Sequence, residues 1–291
     1  MAIWNLGSIN ADMVYAVPHL PGPGETLAAT GFARFLGGKG ANMSVAAARA
    51  GARVCHIGAV GADGRWAVER LREYGVDTRH IAVIAESTGH AIVAVDPAAE
   101  NQIILYPGAN RAISEEMLRR ALSGAQAGDS LLMQNETNLQ SQAARMGRDL
   151  GLKICYAAAP FEAAAVRAVL PCLDFLVLNA VEAGQLQAAT GMRPAALPVR
   201  HVIVTRGAQG ARYFDTVSGQ SRDFPAIPVR PVDTTGAGDT FAGYVLAGLD
   251  RGMPMEQAIG LAMRAAAIMV TRHGTADVIP DLKDVGEARL S

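Results

Sequence analysis

An excess of charge of either sign is missing from this chain. Its 26 Lys and Arg residues against 27 Asp and Glu leave a formal net charge of -1, which argues against a surface for nucleic acid or anionic membrane. Cysteine is scarce as well: Cys55, Cys155 and Cys172 are the only three. They lie in or near apolar runs without metal-ligand spacing, so they are expected to be reduced core residues of a cytoplasmic protein. The opening MAIWNLGSINAD carries neither a basic segment nor a long apolar one, so no targeting leader is expected. The most apolar stretch, 258–270, is too short to span a bilayer and contains Arg264. Tandem repeats and low-complexity linkers are also missing. What is present is 291 residues, half of them hydrophobic and 18% charged, enough for one large α/β domain with a small appendage.

Strand and helix patterns alternate along most of the chain. A buried strand is predicted over 2–9. Two short apolar patches, 14–17 and 27–32, flank the breaker Pro21-Gly22-Pro23-Gly24 and suit a small accessory sheet. After a helix opened by Gly37-Gly38-Lys39-Gly40-Ala41-Asn42 come a strand at 54–60 and a helix at 66–74. Three short strands then follow at 81–84, 91–95 and 103–105, with no helix between them, and are expected to complete the accessory sheet. Helices near 114–122, 139–150, 162–169 and 181–189 alternate with strands at 131–133, 152–156, 175–178 and 202–205. A hairpin-like region (211–214, 222–224), two long helices and a terminal helix complete the chain. Such alternation predicts a doubly wound, mainly parallel sheet with helices on both faces. The accessory sheet is expected as a lid from about 13–35 and 80–106 within one domain over 1–291.

Asp233-Thr234-Thr235-Gly236-Ala237-Gly238-Asp239 is the most informative stretch. It joins an apolar approach (Ile227, Val229, Val232) to an apolar helical run (Phe241, Val245, Leu246, Leu249). The first amides of a helix have no intrahelical acceptor, and small residues let a ligand approach them. The turn is therefore a natural anion site, with Asp239 beside it in the first helical turn. Gly37 to Asn42 resembles a nucleotide P-loop but fails that template twice. Ala33 stands at the first glycine position, and Gly40 follows Lys39 where a hydroxyl belongs. Lys39 and Asn42 at such a helix start suit a polyhydroxylated ligand instead.

Ligands of open α/β sheets gather at the carboxyl ends of strands. Polar residues recur there: Asn10 and Asp12 after the first strand, Glu136 after 131–133, Asn179 and Glu182 after 175–178, and Thr205, Arg206, Gly207 and Gly210 after 202–204. Taken singly they are caps or turns. Together they line one edge of the sheet, which is the expected cleft.

GSINAD at 7–12, GGKGAN at 37–42, Asn179 with Glu182, VTRGAQG at 204–210 and DTTGAGDTFAG at 233–243 resemble, in this order, the ribokinase-like (pfkB) carbohydrate kinases. The resemblance runs over nearly the whole chain and is strongest to the ribokinase branch. It implies a small β-sheet lid and transfer of the ATP γ-phosphoryl group to a sugar hydroxyl. Asp239 would be the general base, and the amides of Gly236, Ala237 and Gly238 the anion hole. Asn10, Asp12, Gly38, Lys39, Asn42 and Glu136 would bind the sugar. Asn179, Glu182, Thr205, Arg206, Gly207, Gly210, Gly238 and Met263 would serve the nucleotide, Glu182 acting indirectly on magnesium. Asp233 and the Thr235 carbonyl match part of a monovalent-cation site, implying potassium. A homodimer joined through the lids is also implied.

Some positions depart from the family's pattern. Met263 stands where ribokinases often carry His or Asn near the adenine, so base selection is expected to rest on packing. Val278 replaces a serine that can complete the cation site, while Met43 and Asn135 differ from the usual neighbours of the sugar motifs. Ribose is the first acceptor to consider, and another furanose, a keto-sugar or a nucleoside remains open. A dinucleotide-dependent oxidoreductase would share the doubly wound sheet. Its G-x-G-x-x-G is missing after the first strand and from the 233–243 loop. A sugar-binding protein without catalysis is opposed by the retention of Asp239 together with its glycine loop.

Overall fold

Strands that carry apolar residues on both faces, rather than on one, need cover on both. β1 (Ile3–Leu6), β4 (Val54–Val60) and β8 (Ser130–Met133) are of this kind, with every residue buried. In the computed structural model, which describes residues 1–98 and 100–290, they lie side by side within a nine-stranded sheet. Ala99, within the predicted lid stretch, and Ser291 lie outside the described residues.

The large sheet has the order β13-β12-β11-β10-β9-β8-β1-β4-β5. Its remaining strands are β5 (Asp77–Val83), β9 (Lys153–Ala157), β10 (Phe175–Asn179), β11 (His201–Thr205), β12 (Ala211–Asp215) and β13 (Gln220–Phe224). Pairing is parallel from β5 through β11 and antiparallel across β11, β12 and β13. A second sheet of four strands runs β3-β2-β6-β7, from β2 (Asn10–Ala16), β3 (Gly31–Gly37), β6 (Gly89–Val95) and β7 (Asn101–Tyr106).

Helices cover both faces of the large sheet. On one side lie α1 (Lys39–Arg49), α2 (Arg65–Glu73), α7 (Ala237–Asp250), α8 (Met255–Met269) and α9 (Leu282–Glu287), packed on Ile3, Val54, Leu132, Phe175 and Ile203. On the other lie α3 (Glu115–Leu122), α4 (Gln140–Asp149), α5 (Ala163–Val169) and α6 (Ala180–Thr190), packed on Trp4, Leu6, Ile57, Leu131 and Leu176. Residues 3 and 4 thus serve opposite cores, as the twofold period of a strand requires. Cys55 and Cys155 are buried, Cys172 is partly so, and all three are free. Among the described residues no helix is long and apolar enough to cross a membrane.

Three sequence expectations need correction. The strand expected at 81–84 in the accessory sheet is the end of β5, which runs parallel to β4 in the large sheet. It follows α2 as the return strand of a β-α-β crossover, and its short apolar run looks locally the same as those of β6 and β7. The patch at 27–32 is strand only from Gly31, and that strand continues to Gly37 because β2 pairs with it along its whole length. The strand predicted over 2–9 ends at Leu6, and β2 then opens in the other sheet at Asn10.

The packing of α1 against α7 sets up the cleft. Almost every residue of both helices' inner turns is buried, and Gly243 lies where a Cβ would meet the Ala46 Cβ and the Met43 carbonyl at 2.6 Å. Small residues therefore let the two axes come close. Their N-termini open side by side at the carboxyl edge of the sheet.

Candidate active site

Glu136 is locked to the start of α1. Its Oε2 accepts from the Ser8 hydroxyl at 2.5 Å and from the Lys39 amide at 3.0 Å. Ser8 Oγ in turn accepts from the Gly40 amide at 3.1 Å. The helix has no side-chain cap of its own, since its N-cap is Gly38 at φ 91°, so a carboxylate and a hydroxyl from other segments satisfy its first amides. Asn10 Oδ1 accepts from Asn110 Nδ2 at 2.7 Å, and Asn110 Oδ1 accepts from the Ile9 amide at 2.8 Å. Ser8 and Asn110 thus hold the residues picked out in the sequence without having been picked out themselves. Ser8 lies within GSINAD; Asn110 carries no local signal, because its partners are about 100 positions away in the chain.

Charge is concentrated here. Burial, and next the Glu136 carboxylate, push Asp12 up to about 7. Lys39 is held more firmly protonated, first by Asp239 and then, against the opposing effect of burial, by Glu136 and Glu182. Asp239 is 6% exposed. Burial raises its affinity for a proton, while Lys39 and the hydrogen bond from Asn42 act the other way. That bond, Asn42 Nδ2 to Asp239 Oδ2, is 2.9 Å long and ties the first turns of α1 and α7 together. The other amide atom, Asn42 Oδ1, is buried without a partner among the described residues. A buried acceptor left in this state fits a hydroxylated ligand that donates to it.

α7 begins at Gly236, which adopts φ 76° and offers no side-chain cap. The Ala237 amide donates to the Thr234 carbonyl at 3.2 Å, so it is spent within the turn. The amides of Gly236, Gly238 and Asp239 have no protein acceptor among the described residues, and a Cβ on Gly238 would meet nothing within 4 Å. Free amides with open space before them suit an anion. Of these residues Gly238 borders a cavity of about 590 Å³, whose walls also include Asn179, Thr205, Gly207, Gly210, Ile227 and Met263. Ala226, Ile227, Pro228, Val229 and Pro231 form an apolar wall, where the sequence led us to expect only an approach to the loop.

Not every residue singled out in the sequence turns toward the cleft. Arg206 Nη2 pairs with Asp223 at 2.7 Å, and Arg206 is not part of the cavity wall. Strand β13 supplies a carboxylate that a sequence pattern could not foresee, and it holds one arm of the guanidinium, while Nε is buried without a partner among the described residues. Asn179 Oδ1 accepts from the Glu182 amide at 2.8 Å, and Glu182 Oε2 accepts from the Asn179 amide at 2.7 Å. These two side chains therefore form the capping box of α6. Glu182 still senses Lys39 and Asp239, with burial as the main influence raising its proton affinity. Asp233 accepts from the Thr235 amide at 2.9 Å and the Gly274 amide at 3.2 Å, joining two loops behind the anion turn. Among the described residues no group of three or more His, Cys, Asp or Glu is placed to hold a metal ion.

Residues 3–282 match the profile of the pfkB family carbohydrate kinases. The chain belongs to that family, and it is a kinase. It is similar to the ribokinase of Haemophilus influenzae, with 37% identity over 97% of this chain and 96% of the relative. Among solved structures it superposes on a ribokinase from Cryptococcus neoformans in complex with ADP at a TM-score of 0.84 and 31% identity, covering 98% of this chain and 99% of that one. The ribokinase of Arabidopsis thaliana complexed with ribose and ATP gives 0.85 and 28%, covering 99% and 98%.

The raised proton affinity of Asp12 has a measurable consequence. A carboxyl that titrates near 4 in the unfolded chain and at about 7 when folded binds more protons in the native state between those values. Its contribution to stability is complete below pH 4 and is lost as pH rises through 7. We expect urea unfolding to show the protein losing about 2–3 kcal/mol more between pH 5 and pH 8 than Asp12→Asn does. Equal losses in the two proteins would mean that Asp12 is ionised throughout.

Proposed function

We propose that this chain transfers the γ-phosphoryl group of ATP to a hydroxymethyl oxygen of a pentose, with ribose as the first acceptor to test. The observation that carries this reading is the position of Asp239. Its carboxylate is buried in the first turn of α7, hydrogen-bonded to Asn42 and within reach of the charges of Lys39 and Glu136, and the adjacent Gly238 borders the 590 Å³ cavity. The solved relatives that hold ADP, or ribose and ATP, support it.

In this reading Asp239 takes the proton of the acceptor hydroxyl as its oxygen attacks the γ-phosphorus, and the bond to the leaving ADP oxygen breaks. Burial suits Asp239 to the task by making it a stronger base than a solvated carboxylate. Asn42 aims it, and Lys39 offsets charge on the transferred group. The amides of Gly236 and Gly238 donate to that group where charge builds up, with the Asp239 amide completing the turn in place of Ala237. Thr205, Gly207, Gly210 and Met263 border the nucleotide. A magnesium ion carried on the phosphates would neutralise their charge, with Glu182 reaching it through water. Asp233 and the Thr235 carbonyl supply the hard oxygen donors that a potassium ion prefers.

Assembly and location belong to the same reading. Phe32, Ile103, Ile104 and Leu105 of the small sheet are each more than half exposed, and a patch of this kind needs cover. We expect light scattering at micromolar concentration to show a dimer joined through these sheets; a fully active monomer would remove it. With three free cysteines the enzyme belongs in the cytoplasm.

An ADP-release screen over pentoses, 2-deoxyribose, ketohexoses and nucleosides identifies the acceptor. We expect Asp239→Ala to fold normally and to lose turnover by at least about 10²-fold. Near-parental turnover would remove Asp239 from the chemistry. Nucleotide choice is the second outcome. Met263 donates no hydrogen bond, and apolar pockets discriminate by only about 1–3 kcal/mol. We expect kcat/KM for GTP and ITP within roughly 100-fold of ATP, whereas discrimination beyond about 10⁴ would require a polar reader of the base.

A further inference from the structure

Asn5, Ser44 and His56 are polar residues in an otherwise apolar layer. Each is completely buried. Asn5 shares a face of β1 with Ile3, and His56 shares a face of β4 with Val54; both faces pack beneath α1, where Ser44 lies one turn after Gly40. Asn5 Nδ2 donates to the Gly40 carbonyl and to Ser44 Oγ, both at 2.8 Å, while its Oδ1 accepts from Gln134 Nε2 at 2.9 Å. Ser44 Oγ is 2.8 Å from His56 Nδ1, and His56 Nε2 is 3.0 Å from the Gly7 carbonyl.

A carbonyl only accepts, so Nε2 carries the proton and Nδ1 accepts from the serine hydroxyl. Burial pushes His56 down to about 4, which keeps the ring neutral. The serine and histidine cannot work as a nucleophile and its base, because neither reaches solvent. Instead the chain of side chains ends on two backbone carbonyls, those of Gly7 and Gly40. These glycines touch: a Cβ on Gly40 would overlap the backbone of Gly7 and Ser8. The neighbouring groups, Ser8 Oγ and the Lys39 amide, are the two that converge on one oxygen of Glu136.

We infer that His56, linked through Ser44 and Asn5, is a positioning residue for the acceptor chamber, holding Gly7 and Ser8 against the first turn of α1 so that Glu136 is fixed. The inference rests on the acceptor-site reading given above. Apolar contacts would hold the same segments together without setting their direction, whereas this chain of hydrogen bonds fixes both carbonyls. The nucleotide cavity is built from β10, β11, α7, α8 and the loop 226–234, none of which the chain touches. Its effect is therefore selective.

Three variants separate the two bonds of the ring. His56→Gln keeps a donor near the Nε2 position for the Gly7 carbonyl; His56→Asn reaches only the Nδ1 position; His56→Phe keeps neither. With the acceptor identified by the screen, we expect His56→Phe and His56→Asn to raise its KM about 10-fold, with kcat and the KM for ATP within about 2-fold, and His56→Gln to recover most of the loss. An unchanged acceptor KM in His56→Phe, a joint rise of both KM values, or Gln no better than Asn would overturn the inference. Should His56→Phe fail to fold, Ser44→Ala interrupts the same chain and carries the same expectation. If the parent phosphorylates no acceptor, the proposed function fails on its own. Amide hydrogen exchange then decides the matter: faster exchange confined to 7–10 and 39–42 in His56→Asn and absent in His56→Gln supports positioning, and uniform acceleration overturns it.

Discussion

The close approach of α1 and α7 is the constraint on which the rest of the cleft depends. Gly243 against Ala46 lets the helices pack with their N-termini together, and the 2.9 Å bond from Asn42 to Asp239 closes the gap at the top. A bulkier residue at the contact would separate the first turns. Two ends of partial positive charge would then no longer meet around one buried carboxylate. The placing of Glu136 and Ser8 on the first amides of α1, and of open space before the amides of α7, follows from that arrangement. One helix start is filled by the protein, and the other is left for a ligand.

The charged groups balance one another in a comparable way. Burial makes Asp239 harder to ionise, and Lys39 and the amide of Asn42 offset part of that effect. Lys39 in turn is kept protonated despite burial by the carboxylates around it. Asp12 has only Glu136 near it among the charges that shift it, and it rises to about 7. Burial raises the proton affinity of both carboxylates, but Asp239 has a cation beside it that opposes the effect, whereas Asp12 has none.

The sequence makes legible what short-range chemistry marks. Glycine turns before apolar helical runs identified both helix starts, and strand-end polarity led to Asn10, Asp12, Glu136 and Thr205, because an open parallel sheet collects such groups at one edge. Alternation of strands and helices gave the doubly wound sheet. What stayed hidden depends on distant partners. β5 could not be told from the small-sheet strands by its own residues, since pairing rather than composition assigns it. Arg206 sits in a glycine-rich loop like a phosphate ligand, yet Asp223 on a later strand claims it. Asn110, and the buried set of Asn5, Ser44 and His56, look like isolated polar residues until the fold brings their partners within 3 Å.

β1 and β2 belong to different sheets, yet only residues 7–9 separate them. The small sheet is thus cantilevered from the large one, with Asn10 at the fulcrum and Asp12 on the short arm. At about 3.3 Å per residue, a tilt of roughly 10° about Asn10 carries Ala16 about 3.5 Å but Asp12 only about 1 Å. Large excursions at the rim become fine adjustments beside Glu136. Were the small sheet to tilt, gearing of this kind would let its rim swing far outward while Asp12 stayed almost in register.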